Sequence, residues 1–145
     1  MFYFRYMTKE EIIGALNQFR KNTLLEVLDI QFTDVNVEDG WVKATMPVTP
    51  TVHQPYGLLH GGATAALAES LGSASSVLYL DREKQYPVGV EISCNHLRSI
   101  REGMVTATAQ IIHKGRSSHL WHIRVESEDG KLISMCKLLN FIKDY

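Results

Sequence analysis

The chain has little of what marks a secreted, membrane-embedded or nucleic-acid-binding protein. Its 145 residues include only two cysteines, Cys94 and Cys136, whose spacing matches no metal-binding or disulfide pattern. No stretch approaches the roughly 20 apolar residues of a membrane span, and Arg5 interrupts the aromatic N-terminus before a signal-peptide core can form. The net charge is only -1, so bulk electrostatics does not favour nucleic acid. We therefore expect a cytoplasmic protein without a membrane or nucleic-acid partner.

The basic side chains cluster in one part of the sequence. The segment from residue 96 to residue 124 contains nine basic side chains and only one acid, Glu102. The basic residues are His96, Arg98, Arg101, His113, Lys114, Arg116, His119, His122 and Arg124. A local basic stretch in a nearly neutral protein suits a small polyanionic ligand better than a long polymer. Segments 96–99 and 113–118 mix cations with hydroxyl groups or glycine, which suits phosphates, although a solvated turn explains either segment alone.

Periodicity and turn signals predict one α+β domain over residues 1–145. Thr8 and Glu11 form a capping box at the start of an amphipathic helix, and Asp39-Gly40 is a strong hairpin signal. The predicted elements are helices at about 8–21 and 63–80, and strands at 28–33, 41–48, 88–97, 104–113, 120–127 and 132–142. Because strands and helices are segregated, we expect a curved antiparallel sheet of about five or six strands wrapped around the long helix.

One loop and the helix after it carry most of the functional signal. Gln54 and His60 frame the loop, and the His-Gly-Gly turn opens the helix, where free N–H groups can bind an anion or an oxyanion. Glu69 is the only carboxylate within the helix, and such an isolated acid must be paired, protonated or reactive. Together these features indicate acyl-transfer chemistry. Taken singly, Glu69 also fits a solvated or arginine-paired acid, and His60 fits a turn histidine bonded to backbone.

The geometry of this helix adds a second argument. Periodicity places a stripe of small and polar residues where a ligand or another backbone could fit: Gly62, Ala65, Glu69, Gly72, Ser73 and Ser76. Gly61 and Glu69 are eight residues apart, about 12 Å along a helix, so one helix cannot easily place both around one carbonyl. Two antiparallel helices can, which indicates a site shared between the subunits of a two-fold dimer.

Other chemistries have no support in the sequence. It contains no Gly-x-Ser-x-Gly elbow, P-loop or dinucleotide-binding fingerprint. His119 and His122 are three apart in a predicted strand, so they point to opposite faces and make a poor metal pair. We expect neither a metal nor a cofactor.

These residues resemble a known family. The run Gln54-Pro-Tyr-Gly-Leu-Leu-His60-Gly61-Gly62, followed by Glu69, is similar to the hotdog-fold acyl-CoA thioesterases, in the branch of the phenylacetate-pathway and Arthrobacter-type 4-hydroxybenzoyl-CoA thioesterases. Gly-Val-Glu-Ile and Asn-His-Leu-Arg-Ser-Ile-Arg-Glu-Gly extend the resemblance over nearly the whole chain. They are most similar to 1,4-dihydroxy-2-naphthoyl-CoA thioesterases of menaquinone synthesis.

The resemblance implies a thioester hydrolase that forms homodimers with shared active sites and then tetramers. It implies Glu69 as nucleophile or general base, with Ser73 helping to place the water or the intermediate. Gln54, His60 and the Gly61 amide would polarise the thioester carbonyl from the partner subunit. For the coenzyme A part of the substrate it points to Gly89, His96, Leu97, Arg98, Ser99, His113, Lys114, Gly115, Arg116, Ser117 and Ser118.

Several alternatives stay open. Where close relatives have Gly-Ser-Arg, this chain has Gly115-Arg116-Ser117, so the side chain that meets the nucleotide phosphate is undecided. The acyl group is aromatic or medium-chain, and Glu69 forms an anhydride or activates water. A carrier-protein thioesterase and a non-catalytic acyl-CoA sensor are the alternatives to acyl-CoA hydrolysis.

Overall fold

The computed structural model describes residues 3–145, apart from the side chains of Tyr3 and Arg5. Within that range the helices are α1 (Lys9–Gln18), α2 (Leu24–Val27) and α3 (Gly61–Val77), with 3-10 turns at Tyr3–Tyr6 and Pro50–Val52. The strands are β1 (Gln31–Asn36), β2 (Trp41–Pro47), β3 (Gln85–His96), β4 (Met104–Lys114), β5 (Ser118–Ser127) and β6 (Leu132–Asp144). No helix among these residues is long and apolar enough to cross a membrane.

The six strands form one antiparallel sheet in the order β1-β2-β4-β5-β6-β3. The sheet curves around α3, whose Leu67 and Leu71 are fully buried together with Trp121, Ile123 and Leu138 of the strands. This arrangement confirms the predicted helix wrapped by a curved sheet. It leaves β1 and β3 as the two edge strands, and β3 is the edge that contacts α3.

The small residues of α3 allow the sheet to approach closely. A β-carbon added at Gly72 would lie 2.6 Å from a methyl carbon of Leu138. Ser76 is fully buried, and its Oγ accepts a hydrogen bond from Trp121 Nε1 at 2.8 Å. Of the two uses predicted for this stripe, Gly72 and Ser76 do not serve a ligand, because side chains of β5 and β6 fill the space beside them. Glu69 stays half-buried beside this contact.

Local signals predicted most elements to within a few residues. The capping box is present, because the Thr8 N–H donates to Glu11 Oε2 at 2.7 Å and the Glu11 N–H donates to Thr8 Oγ1 at 3.2 Å. Gly40 has a φ of 75°, which glycine adopts easily, and it closes the predicted hairpin between β1 and β2. The long helix begins two residues earlier than predicted, at Gly61, because the side chain of His60 caps it.

The strand predicted at 28–33 is wrong at its start. Residues 24–27 form α2, and β1 begins only at Gln31. Between them the chain reverses at Asp29, which has a φ of 50°, and the Ile30 N–H donates to the Leu25 carbonyl at 2.8 Å. A short apolar run fits a helical turn as well as a strand, so its periodicity alone did not predict this helix.

Candidate active site

Glu69 lies on α3 with its carboxylate against the backbone of β3. A β-carbon added at Gly89 would lie 2.6 Å from Glu69 Oε1. Glu69 is half-buried, and within residues 3–145 its carboxylate makes no hydrogen bond or ion pair. Pairing with an arginine of that part of the chain is therefore excluded. A partly buried carboxylate without a partner is available to accept a proton or to attack a carbonyl carbon.

A buried polar network adjoins this carboxylate. Asn140 on β6 is the register partner of Gly89 on β3 and is fully buried. Its Oδ1 accepts a hydrogen bond from Ser73 Oγ at 3.3 Å, and its Nδ2 donates to Ser76 Oγ at 2.9 Å. The predicted Ser73 is therefore held by Asn140, one helical turn beyond Glu69.

His60 caps the N-terminus of α3. Its Nδ1 accepts a hydrogen bond from the Gly62 N–H at 2.8 Å. In the neutral ring the proton is then on Nε2, which makes Nε2 a hydrogen-bond donor. The N–H of Gly61, the first residue of α3, has no acceptor within the helix. His60 Nε2–H and the Gly61 N–H are therefore two donors that an oxyanion can accept from.

The loop before α3 holds Gln54 in a defined orientation. Gln54 Oε1 accepts a hydrogen bond from the Tyr56 N–H, which leaves the amide nitrogen as a donor. Gly57, at a φ of 72°, completes the turn by donating its N–H to the Gln54 carbonyl at 2.9 Å. Arg101 ties this loop to the β3–β4 loop, since its Nη1 donates to the Tyr56 carbonyl at 3.0 Å and its carbonyl is hydrogen-bonded to His53 Nε2 at 2.8 Å.

A cavity of about 320 Å³ opens at this end of α3. Predicted site residues line it: Gln54, Gly61, His96, Leu97, Arg98 and Ser99. His96 packs against the start of the helix, because a β-carbon added at Gly61 would lie 2.6 Å from its Nε2. Its Nδ1 is hydrogen-bonded to Ser134 Oγ at 2.8 Å. The structure therefore brings the predicted oxyanion donors and the 96–99 segment together.

The turn at 113–118 lies near the other end of the helix. Three of its residues line a second cavity, separate from the one at the helix start: Lys114, Gly115 and Arg116. A row of register partners crosses the sheet from β4 to β3: Lys114, His119, Asn140 and Gly89. Because neighbouring strands lie about 4.8 Å apart, three spacings place the turn about 14 Å from Gly89. The turn is thus on the Glu69 side of the molecule.

The predicted residues therefore form two groups in one chain. The helix-start group contains Gln54, His60, Gly61, His96, Leu97, Arg98 and Ser99. The Glu69 group contains Glu69, Ser73, Gly89 and the turn residues His113, Lys114, Gly115, Arg116, Ser117 and Ser118. Gly89 and His96 are seven residues apart on β3, about 23 Å at 3.3 Å per residue. One chain therefore does not place both groups around one thioester.

Three side chains of the site were not predicted from the sequence: Thr64, Ser134 and Asn140. Thr64 and Ser134 line the cavity at the helix start, and Asn140 holds Ser73. Ser134 and Asn140 share the buried face of β6 with apolar residues, so strand alternation could have identified them as inward-facing polar residues. Within residues 3–145, no group of three His, Cys, Asp or Glu side chains could hold a metal ion.

Known proteins match the part of the chain that contains most residues of both groups. A family model described as the thioesterase superfamily matches residues 56–134, more than half of the chain. The chain belongs to the thioesterase superfamily. This thioesterase is 45% identical over 131 residues to the proofreading thioesterase EntH of Cronobacter turicensis, with 90% of each chain covered. It is 39% identical over 130 residues to the 1,4-dihydroxy-2-naphthoyl-CoA hydrolase of Escherichia coli, with 90% of this chain and 93% of the relative covered.

A solved structure confirms the fold of the thioesterase. A crystal structure of a mutant thioesterase from Pseudomonas aeruginosa matches it with a TM-score of 0.90 and 39% identity, over 100% of both chains. The predicted hotdog fold is therefore confirmed. The family and its named relatives confirm an enzyme that hydrolyses thioesters, so the alternative of a non-catalytic sensor is set aside.

Proposed function

We propose that this thioesterase hydrolyses an aromatic or medium-chain acyl-CoA to the free acid and CoA, with Glu69 as the reactive group. The observation that carries the proposal is the carboxylate of Glu69, which has no partner among the described residues and lies against Gly89 of the edge strand. The similarity to a 1,4-dihydroxy-2-naphthoyl-CoA hydrolase makes that thioester, an intermediate of menaquinone synthesis, the first substrate to test.

The two groups supply the parts that thioester hydrolysis requires. Water adds its oxygen to the carbonyl carbon, and the C–S bond breaks. As a general base, Glu69 takes a proton from the water and passes it to the CoA sulfur; as a nucleophile, it displaces CoA and forms an anhydride that water then hydrolyses. Gly61 N–H, His60 Nε2–H and the Gln54 amide stabilise the charge on the carbonyl oxygen. Ser73 positions the water or the intermediate.

The exposed edge of β3 supports a site shared between two subunits. Among the described residues this 12-residue strand pairs only with β6, and it exposes Tyr86, Val88 and Val90 by 37%, 37% and 45%. A long edge strand with exposed apolar side chains favours pairing with another chain. If two copies of β3 pair antiparallel, midway between Gly89 and His96, the Glu69 group of one subunit faces the helix-start group of the other. We propose a homodimer with two such sites, and a homotetramer built from two dimers.

Two arginines are placed to bind the phosphates of coenzyme A. Arg98 lines the cavity at the helix start, and Arg116 is on the 113–118 turn. Both side chains are exposed, and neither has an ion-pair partner among the described residues. A guanidinium group binds phosphate through paired hydrogen bonds, so these two side chains are suited to the nucleotide end of the substrate.

Release of free thiol from a panel of substrates tests the proposal. The panel contains 1,4-dihydroxy-2-naphthoyl-CoA, benzoyl-CoA, octanoyl-CoA, acetyl-CoA and an octanoyl carrier protein. We expect kcat/KM to be higher for the aromatic or the octanoyl thioester than for acetyl-CoA, and higher for octanoyl-CoA than for the carrier protein. The opposite order in the last comparison would identify a carrier-protein thioesterase.

The role of Glu69 is tested on the best substrate of that panel. Glu69→Gln keeps the shape of the side chain but removes its basicity and nucleophilicity, so kcat should fall on the order of 10²-fold or more. Glu10→Gln, which removes an exposed carboxylate from α1, should leave kcat unchanged. Turnover near wild type in a folded Glu69→Gln protein would exclude Glu69 as the reactive group.

A further inference from the structure

A cavity of about 860 Å³ lies at the end of α3 opposite to the helix-start group. We call it the α1 cavity, because α1, β1, the residues that follow α3 and the 113–118 turn border it. Its walls are mainly apolar and include Phe4, Met7, Ile12, Val35, Leu78 and Leu80. Ligand sites typically have volumes of about 300–1,000 Å³, apolar walls and a few converging polar groups. The α1 cavity has this size and composition.

Among the polar side chains that line this cavity, His119 is the most deeply buried. It is 2% exposed, and its Nδ1 has no hydrogen-bond partner among the described residues. The imidazole is edge-on to the ring of Tyr79, with 6.2 Å between centroids, and Lys114 Nζ lies 4.6 Å from the centroid of the same Tyr79 ring. A buried nitrogen without a partner is destabilising. Because His119 is in the cavity wall, a small rotation of its ring would let a bound ligand pair with this nitrogen and remove that cost.

The charges around the cavity favour an anion. The charged side chains that line it are Lys9, Lys114, Arg116 and one acid, Glu38. Lys9 is neutralised by an ion pair with Asp34, with 2.5 Å between Nζ and Oδ1. The remaining charge at the cavity is positive.

The imidazole itself is neutral near pH 7. Burial, followed by the charges of Lys114 and His113, lowers the pKa of His119 to about 4. A neutral imidazole retains one N–H, and that N–H can be donated from Nδ1 to an anionic oxygen. The cavity therefore combines an N–H donor in its wall with cations on the turn.

We propose that the α1 cavity binds an organic acid whose apolar body, aliphatic or aromatic, packs against the walls and whose carboxylate accepts hydrogen bonds from His119 and Lys114. This is a second ligand site, separate from the cavity at the helix start. Lys114 lies over the ring of Tyr79, in the wall of the cavity, so we assign Lys114 to the organic acid. The exposed Arg116 is then the side chain of this turn that binds the nucleotide phosphate of CoA. Thioester hydrolysis, if the proposed function holds, releases an acid with an apolar body and a carboxylate. Such an acid could bind in the α1 cavity and regulate the enzyme.

Binding of the fluorescent sulfonate 1-anilinonaphthalene-8-sulfonate (ANS) to the full chain tests the site directly. Saturating pantetheine is added first, so that dye at the thioester end of the substrate site does not contribute while the 113–118 turn, which only the nucleotide of CoA would reach, stays free. We expect blue-shifted fluorescence that saturates at one dye per chain. Octanoate and 2-naphthoate, as aliphatic and aromatic carboxylates, compete with the dye. Octylamine, which has the same chain as octanoate but the opposite charge, does not. The measurement needs no thioester and is independent of the proposed hydrolysis.

Three variants locate the bound dye. His119→Phe keeps a ring in the wall but removes the N–H, and Lys114→Met removes the cation from an exposed side chain. Each should raise the Kd of the dye at least about fivefold, whereas the control Lys131→Met should not change it, because Lys131 is ion-paired with Asp129 in the β5–β6 turn. If His119→Phe does not fold, Lys114→Met decides the result. Equal affinity in all folded variants, or no dye binding once pantetheine is present, overturns the proposal.

Discussion

The carboxylate of Glu69 occupies the space that a side chain at position 89 would need. A β-carbon at Gly89 would stand 2.6 Å from Glu69 Oε1, closer than two such atoms can approach. Glu69 is on the central helix and Gly89 is on the edge strand, so the contact places the proposed reactive group where we propose that the second subunit joins. The Glu69 carboxylate can therefore occupy this position only because residue 89 is a glycine.

This contact predicts that Gly89→Ala impairs catalysis more than stability. The added methyl group displaces the flexible end of Glu69, and a displacement of about 1 Å can cost on the order of 10²-fold in rate. The urea midpoint should change little, because the carboxylate can move away. Gly14→Ala is the matched control: nothing lies within 4 Å of its added β-carbon, so it should stabilise α1 by about 0.5–1 kcal/mol with unchanged kcat. Wild-type kcat in Gly89→Ala would show that the position of Glu69 is not critical.

The exposed arginines predict a specific kinetic pattern. Arg98→Ala and Arg116→Ala should raise KM for acyl-CoA more than they lower kcat, because they remove binding at the nucleotide end and not at the reacting carbon. For a substrate trimmed to its pantetheine arm, both variants should behave like wild type. Arg124→Ala, which removes an exposed arginine paired with Glu126, should leave both constants unchanged. Equal effects on the full and the trimmed substrate would contradict the phosphate assignment.

A shared site predicts complementation between inactive subunits. In a hybrid of His60→Ala and Glu69→Gln chains, one site receives wild-type His60 and Glu69, and the other receives both defects. Random exchange makes half of the dimers hybrids, so about a quarter of wild-type activity should return. Mass spectrometry of tagged chains confirms the exchange. Verified hybrids as inactive as their parents would place the whole site within one chain.

Two neighbouring serines of α3 should differ in their contribution to stability. Ser76→Ala leaves Trp121 Nε1–H and a donor of Asn140 without their buried acceptor, so it should lower the free energy of unfolding by about 1–3 kcal/mol. Ser75 Oγ donates only to the Leu71 carbonyl of its own helix, at 2.6 Å, and Ser75→Ala should change the same quantity by less than about 0.5 kcal/mol. Urea unfolding of both variants measures the difference, and equal losses would show that the network is not stabilising.

The pKa of His119 predicts a pH dependence of stability. Its folded-state value is lowered to about 4 by burial, followed by the charges of Lys114 and His113, while an unfolded histidine titrates near 6.5. Between these values the unfolded state binds a proton that the folded state does not. The free energy of unfolding should therefore fall as pH decreases, by about 2–3 kcal/mol from this residue at pH 4.5. His119→Phe should lose less stability than wild type between pH 7 and pH 4.5. Equal losses would mean that His119 titrates normally.

Local sequence signals determined much of the secondary structure and selected the candidate for the reactive residue. The capping box at Thr8 and the hairpin at Gly40 depend on neighbours in sequence, and the structure contains both. A lone carboxylate in a helix of small and apolar residues identified Glu69 as a candidate by the same local reasoning. Short apolar runs were the exception: the strand predicted from Leu28 begins only at Gln31, because so short a run fits a turn as well as a strand.

Only the tertiary structure decided which of these residues contact one another. The order of strands in the sheet brings together residues that are distant in sequence. It places Gly89 against Glu69 and Asn140 beside Ser73. It also buries His119, whose Nδ1 has no partner among the described residues. The separation of the helix-start group from the Glu69 group has the same origin. Helix rise alone predicted their distance, but the exposed edge of β3 is a property of the folded sheet. Pairing between distant strands is set by packing, which no local pattern encodes.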